Sequence, residues 1–541
     1  MLTVTKTKPL APKHERWFAS NVQDSTHPSR LFFGTVTFLS VLWLSGTLWL
    51  SSMNTIVGSP DEAANELFMQ HLAESGQYRI STHVSVAVLK YIHPRSMMTT
   101  GQTLAPVSFL GFVQVGALVI RVFGAGAERG LNPILAFIGL FALYRIFRRF
   151  WTRWWSLLGV ALLAVHPAFF SYATIPYLHN GSFVFTLMIA AWCMLRLLER
   201  PKSFSAIVAG AVFGIAILFR PIEGLWLVPA ALLLVAARRL WRELIIFGAA
   251  TIVIQLPWLL ADQAVYGSLL STGYSIGESI DDSIGPSSVF TPLAKVLTPV
   301  GGHWSWHWLS SVWWYFILFL PTWSVMSFVA LGRYFQRKYS TISKAVKLSV
   351  LSLIGIFPLV YYGTWNLYQN TPASVNGALA SYVRYWLPLY VLMTPGVVIV
   401  LRLIQRRWLV LLVEIILAGS QIITIWSQPV AGLRSRLQAN KKYSQQRAFV
   451  LGATPPQAII IAGPSDKYFQ DQRVSAFRLP QTETDWQALQ ALVAQWPVYL
   501  LVQPGQYQIS DVQTTALQHH LRLDLSAQHS GDQLWLLNTT L

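Results

Sequence analysis

Uninterrupted apolar runs of 17–23 residues recur along the first 430 positions of this chain. Runs of this length are what helices need to cross a hydrocarbon core of about 30 Å. Charged residues make up only 11% of the chain, whereas soluble domains carry roughly 25%. The pattern therefore predicts an α-helical polytopic membrane protein.

The basic residues show how such a chain is oriented. Of the 40 lysines and arginines, 23 lie in the N-terminal tail or in five short loops that follow every second apolar run. The loops are Arg145–Arg153, Arg196–Lys202, Arg238–Arg242, Arg333–Lys347 and Arg402–Arg407. Positive residues gather in cytoplasmic loops, so we place the N-terminus in the cytoplasm. The net charge of +18 is thus explained by orientation, and no nucleic-acid partner is predicted.

This orientation predicts eleven crossings with the C-terminus outside. The predicted crossings are 31–53, 131–149, 155–172, 182–198, 204–220, 224–240, 244–261, 311–331, 345–362, 386–402 and 408–427. One further run, Leu104–Phe123, is long enough to cross. Counting it would put the later arginine clusters outside, so we predict that it lies in the external interface.

The chain then divides into a cytoplasmic tail (1–30), a transmembrane domain (31–428) and an extracytoplasmic domain (429–541). The transmembrane domain carries two long external loops, 54–130 and 262–310. The last domain is polar and Gln-rich, and it reads as a small α/β domain. Its predicted strands are Ala458–Ala462, Val498–Val502, Leu521–Leu525 and Gln533–Leu537, and its predicted helix is Thr484–Gln495.

Acidic residues stand immediately outside the first crossing. Pro60 suits the start of a helix, and Asp61, Glu62 and Glu66 fall in its first turns, where the helix dipole favours negative charge. A capped amphipathic helix at the membrane surface explains this pattern without any chemistry. Carboxylates beside a bilayer are nonetheless costly unless they are used, and this favours a functional role.

Basic residues also stand at external helix ends, against the overall trend. Outside the last domain these are Arg79, Lys90, Arg95, Arg121, Arg129, Arg220, Lys295 and Arg384. Arg220 closes one crossing and Arg384 opens another. Snorkelling to the interface is one explanation. The other is a cationic site for a lipid-linked phosphate, because arginine offers bidentate donors to phosphate oxygens.

Metal and cofactor chemistry find little support. His179, Asn180 and His303 are external, but their spacing specifies no metal site, and the pair Asp281-Asp282 is typical of a solvated loop. The single Cys193 can form neither an internal disulfide nor a zinc site. We predict no metal and no cofactor, with a divalent cation as the alternative.

Taken in order, these motifs resemble the membrane glycosyltransferases of the GT-C fold, in particular the protein mannosyltransferase and aminoarabinose transferase group. The resemblance covers roughly residues 30–405. Its landmarks are Pro60-Asp61-Glu62, His93-Pro94-Arg95, Pro106 with Val122-Phe123-Gly124, Phe219-Arg220-Pro221, Tyr266-Gly267-Ser268 with Thr272-Gly273-Tyr274, and Arg384-Tyr385-Trp386-Leu387-Pro388. One departure is that no carboxylate stands beside His179-Asn180, where relatives often place one.

The resemblance implies transfer of a sugar from a polyprenyl-phosphate donor at the external face, with inversion, to a glycan, lipid or protein acceptor. Asp61 takes the position of the general base, with Glu62 beside it. Displacing a phosphate needs one carboxylate to take the acceptor proton and cations to hold the leaving group. Candidate donor-phosphate residues are Lys90, Arg95, Arg220, Arg384 and Tyr385. Candidate sugar or acceptor contacts are His179, Asn180, Tyr274 and His303.

Two other functions remain open on the sequence alone. A lipid or solute transporter would need charged residues in mid-crossing, and Glu414 is the best-placed example. A non-catalytic membrane scaffold would leave the external carboxylates dispensable. Among membranes, the bacterial inner membrane is the expected location.

Overall fold

Helices dominate the structure, a computed structural model. It describes residues 30–54, 57–89, 92–271, 273, 306–336, 344–364, 381–429, 431–506 and 508–540. The α-helices of more than four residues up to residue 427 are α1 (Arg30–Ser52), α2 (Pro60–Ser75), α3 (Leu110–Phe123), α4 (Leu131–Phe147), α5 (Arg153–Ala164), α6 (Pro167–Ala173), α7 (His179–Glu199), α8 (Ser203–Phe219), α9 (Gly224–Ala237), α10 (Trp241–Tyr266), α11 (His307–Val312), α12 (Pro321–Gln336), α13 (Lys344–Leu351), α14 (Phe357–Gly363), α15 (Leu387–Leu401) and α16 (Arg407–Ser427).

Each predicted crossing coincides with one of these helices or with a pair of them. Within the described residues, six helices are long and apolar enough to cross a membrane, and two bent pairs raise the number to eight. The pairs are α5 with α6, bent by 69°, and α11, which a π-helix continues to Leu318, with α12, bent by 104°. A proline begins the second helix of each pair, where its missing N–H and fixed φ are tolerated. The chain is an integral membrane protein, and the count of eleven stays a prediction.

The segment after α1, which we predict to be external, folds into a platform of α2, α3 and a small antiparallel sheet. The strands are β1 (Ile80–Ser81), β2 (Met97–Thr100) and β3 (Thr103–Pro106), in the order β1-β3-β2. The run Leu104–Phe123, expected to stay in the interface, begins in β3. Its helix α3 has 14 residues, about 21 Å, which falls short of a crossing.

Helices α2 and α3 approach closely because Gly116 carries no side chain. A Cβ at Gly116 would lie 2.2 Å from the sulfur of Met69, so α2 rests directly on the backbone of α3. The apolar side of α2, including Phe68 and Met69, is buried in this contact and in the main core. The position of α2 is therefore fixed by packing along its length.

The C-terminal region begins with helix α17 (Leu433–Ala453) and continues as a five-stranded α/β unit. Its further elements are β4 (Ile459–Ile461), β5 (Val474–Ala476), α18 (Glu483–Val493), β6 (Val498–Val502), α19 (Ile509–Gln518), β7 (Leu521–His529) and β8 (Asp532–Thr539). The sheet order is β5-β4-β6-β8-β7, parallel at one end and antiparallel at the other. The predicted strands and helix are present. Sequence reasoning missed β5, α17 and α19.

Candidate active site

Asp61 lies at the start of α2, where local sequence builds a firm helix end. The hydroxyl of Ser59 caps the helix by accepting the N–H of Glu62 at 3.3 Å, and Pro60 fills the first helical position. The Asp61 Oδ2 atom lies 3.2 Å from Nη1 of Arg384, and both side chains are 15% exposed. The structure thus brings together two predicted site residues that stand 323 positions apart.

The other oxygen of Asp61 is held by a residue that sequence reasoning missed. Ser96 donates its Oγ hydrogen bond to Asp61 Oδ1 at 2.6 Å. Ser96 has a φ of +58°, in the left-handed region that a non-glycine residue rarely adopts. Such strain persists where surrounding contacts impose it, frequently at functional sites. Nothing in the local sequence signals this conformation, since serine is not a usual left-handed residue.

Two arginines lie against the ring of Tyr385. The guanidinium carbon of Arg384 lies 5.2 Å from the centre of the Tyr385 ring, and that of Arg220 lies 5.1 Å from it. The ring also stacks on Tyr362, with centroids 4.8 Å apart. These three predicted residues, Arg220, Arg384 and Tyr385, therefore form one cationic cluster, which we call the arginine–tyrosine cluster.

Arg220 is the buried member of this cluster, and a carboxylate compensates its charge. Its side chain is only 4% exposed, and its Nε lies 2.9 Å from Glu223 Oε1. Glu223 also accepts hydrogen bonds from the Tyr362 hydroxyl at 2.5 Å and from Trp226 Nε1 at 2.6 Å. Sequence reasoning missed Glu223 and Tyr362. The spacing of Glu223, three residues after Arg220, was an available signal for an ion pair.

His179 and Asn180 open helix α7 and are buried, at 4% and 1% exposure. His179 packs edge-on against Phe109, with centroids 5.0 Å apart, and it interacts electrostatically with Arg220 and Arg384. Neither side-chain atom of Asn180 has a hydrogen-bond partner in the described part of the chain. Because buried polar groups are nearly always hydrogen-bonded, this amide is available to a ligand.

A second polar network lies one turn further along α2. The Tyr177 hydroxyl contacts Glu66 Oε1 at 2.7 Å and Glu128 Oε1 at 3.1 Å, and it accepts from Arg129 Nε at 2.9 Å. Arg129 also pairs with Glu66 at 3.1 Å. Burial raises the pKa of both Glu66 and Tyr177. This network ties α2 to the turns before α4 and α7, and Glu66 belongs to it rather than to the arginine–tyrosine cluster.

Two other predicted residues face the C-terminal domain. Arg95 Nη2 pairs with Asp466 Oδ1 at 2.7 Å, and its guanidinium carbon lies 4.3 Å from the centre of the Phe477 ring. Glu62 is 6% exposed, and the charges of Lys467 and Arg436 act on it. The structure therefore engages Arg95 and Glu62 between the domains. A role for Arg95 at the donor phosphate stays a prediction that these contacts do not favour.

The remaining predicted residues, Lys90, Tyr274 and His303, lie outside the described residues, as does the pair Asp281-Asp282. Over the ranges that the structure describes, no group of three or more His, Cys, Asp or Glu side chains is arranged to hold a metal ion. The expectation that no metal or cofactor is needed stays a prediction.

Comparisons with known proteins fit this arrangement. Residues 112–260 match the sequence model of the dolichyl-phosphate-mannose-protein mannosyltransferase family. A search of curated protein sequences finds no significant match. Among solved structures, ArnT from Cupriavidus metallidurans, crystallised with undecaprenyl phosphate, is 15% identical with a TM-score of 0.48. That similarity covers 93% of this chain and 98% of ArnT.

The oligosaccharyltransferase of Archaeoglobus fulgidus, tethered to an acceptor peptide, is 11% identical with a TM-score of 0.50. The similarity covers 86% of this chain and 69% of the oligosaccharyltransferase. This last match shows a common fold. The predicted fold, that of the GT-C membrane glycosyltransferases, is thus confirmed, and residues 112–260 resemble the protein mannosyltransferase family.

Proposed function

We propose that this chain transfers a sugar from a polyprenyl-phosphate donor to an acceptor hydroxyl, with Asp61 as the general base. The observation that carries the proposal is the contact of Asp61 with Arg384, at the edge of the arginine–tyrosine cluster. A base and a cationic site for a leaving phosphate are the two elements that this reaction needs. The matching mannosyltransferase family, named for a dolichyl-phosphate sugar, supports the choice of donor.

The reaction is a direct displacement. The acceptor oxygen attacks the anomeric carbon, the bond from that carbon to the phosphate oxygen breaks, and the acceptor proton passes to Asp61. The phosphate leaves as an anion that needs no proton, and its charge is taken up by Arg384. Because the acceptor attacks opposite the departing phosphate, the anomeric configuration inverts.

Arg384 has two anionic partners in this scheme, one after the other. Arg384 contacts Asp61 through one pair of atoms, Nη1 and Oδ2, at 3.2 Å, so this contact does not use the bidentate geometry of the guanidinium. A phosphate offers bidentate geometry and a larger charge. Donor binding therefore draws Arg384 away from Asp61 and leaves the carboxylate ready to accept a proton.

The other residues take supporting roles. Arg220 is paired with Glu223, and its guanidinium lies against the ring of Tyr385. The unpartnered amide of Asn180, next to His179, is suited to hydroxyl groups of the sugar. Glu62 is more deeply buried than Asp61, which favours Asp61 as the base.

The test is sugar transfer by the purified protein, given a panel of polyprenyl-phosphate sugars. Wild-type protein should transfer one of them, and Asp61→Asn should lose at least about 100-fold in rate. Asp471→Asn is the matched control, because Asp471 pairs with Arg447 within the C-terminal domain. Transfer by Asp61→Asn at the wild-type rate would refute the assignment of the base.

We further propose that the chemistry lies outside a bacterial inner membrane, with the N-terminus in the cytoplasm and the C-terminus outside. The recurring basic loops support this orientation. We also propose that no metal ion takes part, since arginines occupy the place of the leaving-group cation. A chelator should then leave the transfer rate unchanged, and loss of activity that Mg²⁺ or Mn²⁺ restores would contradict this. Of the alternatives, the transporter finds no support in the matches, which are to glycosyltransferases.

A further inference from the structure

The C-terminal domain reaches the first residues of α2. Its 3₁₀ turn, Gly463–Tyr468, packs against that helix, and Lys467 Nζ donates to the carbonyl oxygen of Gly58 at 2.5 Å. The neighbouring Asp466 accepts from the backbone N–H of Arg95 at 2.9 Å, besides its ion pair with the Arg95 side chain. This turn therefore contacts the platform at two places near Asp61. One is Gly58, three residues before Asp61, and the other is Arg95, next to Ser96.

Helix α17 supplies a second cation to the same place. Arg436 Nη2 donates to Thr174 Oγ1 at 2.9 Å. Its Nε and Nη1 atoms are buried, with no hydrogen bond in the described part of the chain. One turn further along α17, Asn440 donates to the carbonyl oxygen of Met53 at 3.0 Å. The helix is thus docked on the end of α1 and on the turn after α6.

Glu62 is the group on which these two cations act. Burial raises its pKa, while the hydrogen bond from Ser59, the charge of Lys467, the backbone at Gly58 and the charge of Arg436 each lower it. The carboxylate lies against Gly58, since a Cβ there would come 3.3 Å from Glu62 Oε1. A buried carboxylate is costly without opposite charge, and both compensating charges come from beyond the last membrane helix.

Glu62 follows Asp61 directly in the sequence. Contacts that hold the backbone and side chain of Glu62 therefore also fix the direction of the Asp61 side chain. Both sit in the first turn of α2, which Ser59 caps and which Lys467 holds from outside through the carbonyl oxygen of Gly58. Loss of Lys467 would remove this hydrogen bond just before the cap and one of the charges that offset Glu62, and the start of the helix would shift. The contact of Asp61 with Arg384 depends on the same turn.

We propose that the C-terminal domain completes the active site. Lys467 and Arg436 are positioning residues: Lys467 holds the carbonyl oxygen of Gly58 just before α2, the charges of both offset that of buried Glu62, and together they keep Asp61 in contact with Arg384. The effect on catalysis rests on the proposed function, whereas the physical coupling between Lys467 and Glu62 is independent of that function.

A double-mutant cycle on the full-length protein tests the coupling. The variants are Lys467→Met, Glu62→Gln and the two combined, and the readouts are the midpoint of thermal unfolding and the kcat of sugar transfer. Lys467→Met alone should lower kcat about tenfold and change the donor KM by less than about twofold. In the Glu62→Gln background, Lys467→Met should lower kcat by less than about a further twofold, because the residue at position 62 is already neutral.

Two further variants separate positioning from general damage. Lys467→Arg keeps the charge and should restore most of the lost kcat, which simple loss of packing would not explain. Arg434→Met is the matched control. Arg434 lies on the same helix as Arg436, α17, but its side chain is exposed, so the substitution should change neither kcat nor the unfolding midpoint. Arg436→Met should behave like Lys467→Met.

The proposal would be overturned if the losses of kcat from Lys467→Met and Glu62→Gln simply multiplied in the double variant. It would also be overturned if Lys467→Arg had a kcat no higher than that of Lys467→Met. If the wild-type protein transferred no polyprenyl-phosphate sugar, the proposed function would fail. The cycle in unfolding midpoints would then still decide whether Lys467 acts on Glu62.

Discussion

Replacing Asp61 with asparagine should strengthen donor binding while it abolishes transfer. Asp61 contacts the guanidinium of Arg384, which is also the proposed partner of the donor phosphate. The two anions therefore compete for Arg384. Asparagine keeps the shape of the side chain and an oxygen that can accept from Ser96, but it has no charge to hold Arg384. The phosphate then no longer has to displace an ionic partner.

The structure sets the size of this effect. Asp61 and Arg384 form one contact of 3.2 Å through a single pair of atoms, and each side chain is 15% exposed. A single ionic contact between partly exposed groups has an interaction free energy of about 1 kcal/mol, which is the upper end of the range for such ion pairs. Since 1.4 kcal/mol corresponds to a factor of ten, donor affinity should rise about fivefold.

The assay is equilibrium binding of a polyprenyl phosphate without sugar to detergent-purified protein, measured by calorimetry. Asp471→Asn serves again as the control and should bind like wild type. The opposite change, Arg384→Ala, should weaken donor binding about tenfold and acceptor binding much less. Equal or weaker phosphate binding by Asp61→Asn would refute the idea that the two anions compete for Arg384.

Three further expectations follow from other parts of the structure. Glu223→Gln leaves Arg220 buried without its counter-charge, so the protein should lose about 3 kcal/mol of stability, seen as a lower unfolding midpoint in detergent. Because burial raises the pKa of Glu66 above 4.5, its contribution to stability falls as pH rises from 4.5 through the raised value. The unfolding midpoint of wild type should therefore fall relative to that of Glu66→Gln as pH rises above 4.5, and a constant difference would contradict this. Topology reporters at Arg30 and Arg149 should report the same, cytoplasmic face. Opposite faces would mean that the Leu104–Phe123 run crosses the membrane.

The helical architecture was predictable because the bilayer imposes a length and a polarity on every crossing. Apolar runs and basic loops alone located helices such as α4, α7 and α16 to within a few residues. The pattern does not reveal bends. The breaks before Pro167 and Pro321 lie inside apolar runs, where proline is tolerated whether or not the helix changes direction.

The site was predictable only in part. Short motifs identified Asp61, Arg220 and Arg384 one by one, each beside a membrane surface, and the resemblance to known glycosyltransferases set them in a common site. Contacts made by common residue types left no signal. Ser96 is one such residue, since its role depends on an unusual φ that the surrounding fold imposes. The charge of Arg95 suggested a phosphate, but its partner Asp466 lies 371 positions away in another domain.

The two arginines at the ring of Tyr385 have a thermodynamic consequence. Their guanidinium carbons lie 5.1 and 5.2 Å from the ring centre, and like charges that meet at one ring repel each other. Glu223 and Asp61 offset this repulsion one each, and neither can serve both arginines. An anion bound between the arginines would relieve the repulsion that the folded protein carries alone. The midpoint of thermal unfolding should therefore rise when polyprenyl phosphate is added to the protein. The increase should become smaller at higher salt, because salt screens the charges of the two arginines.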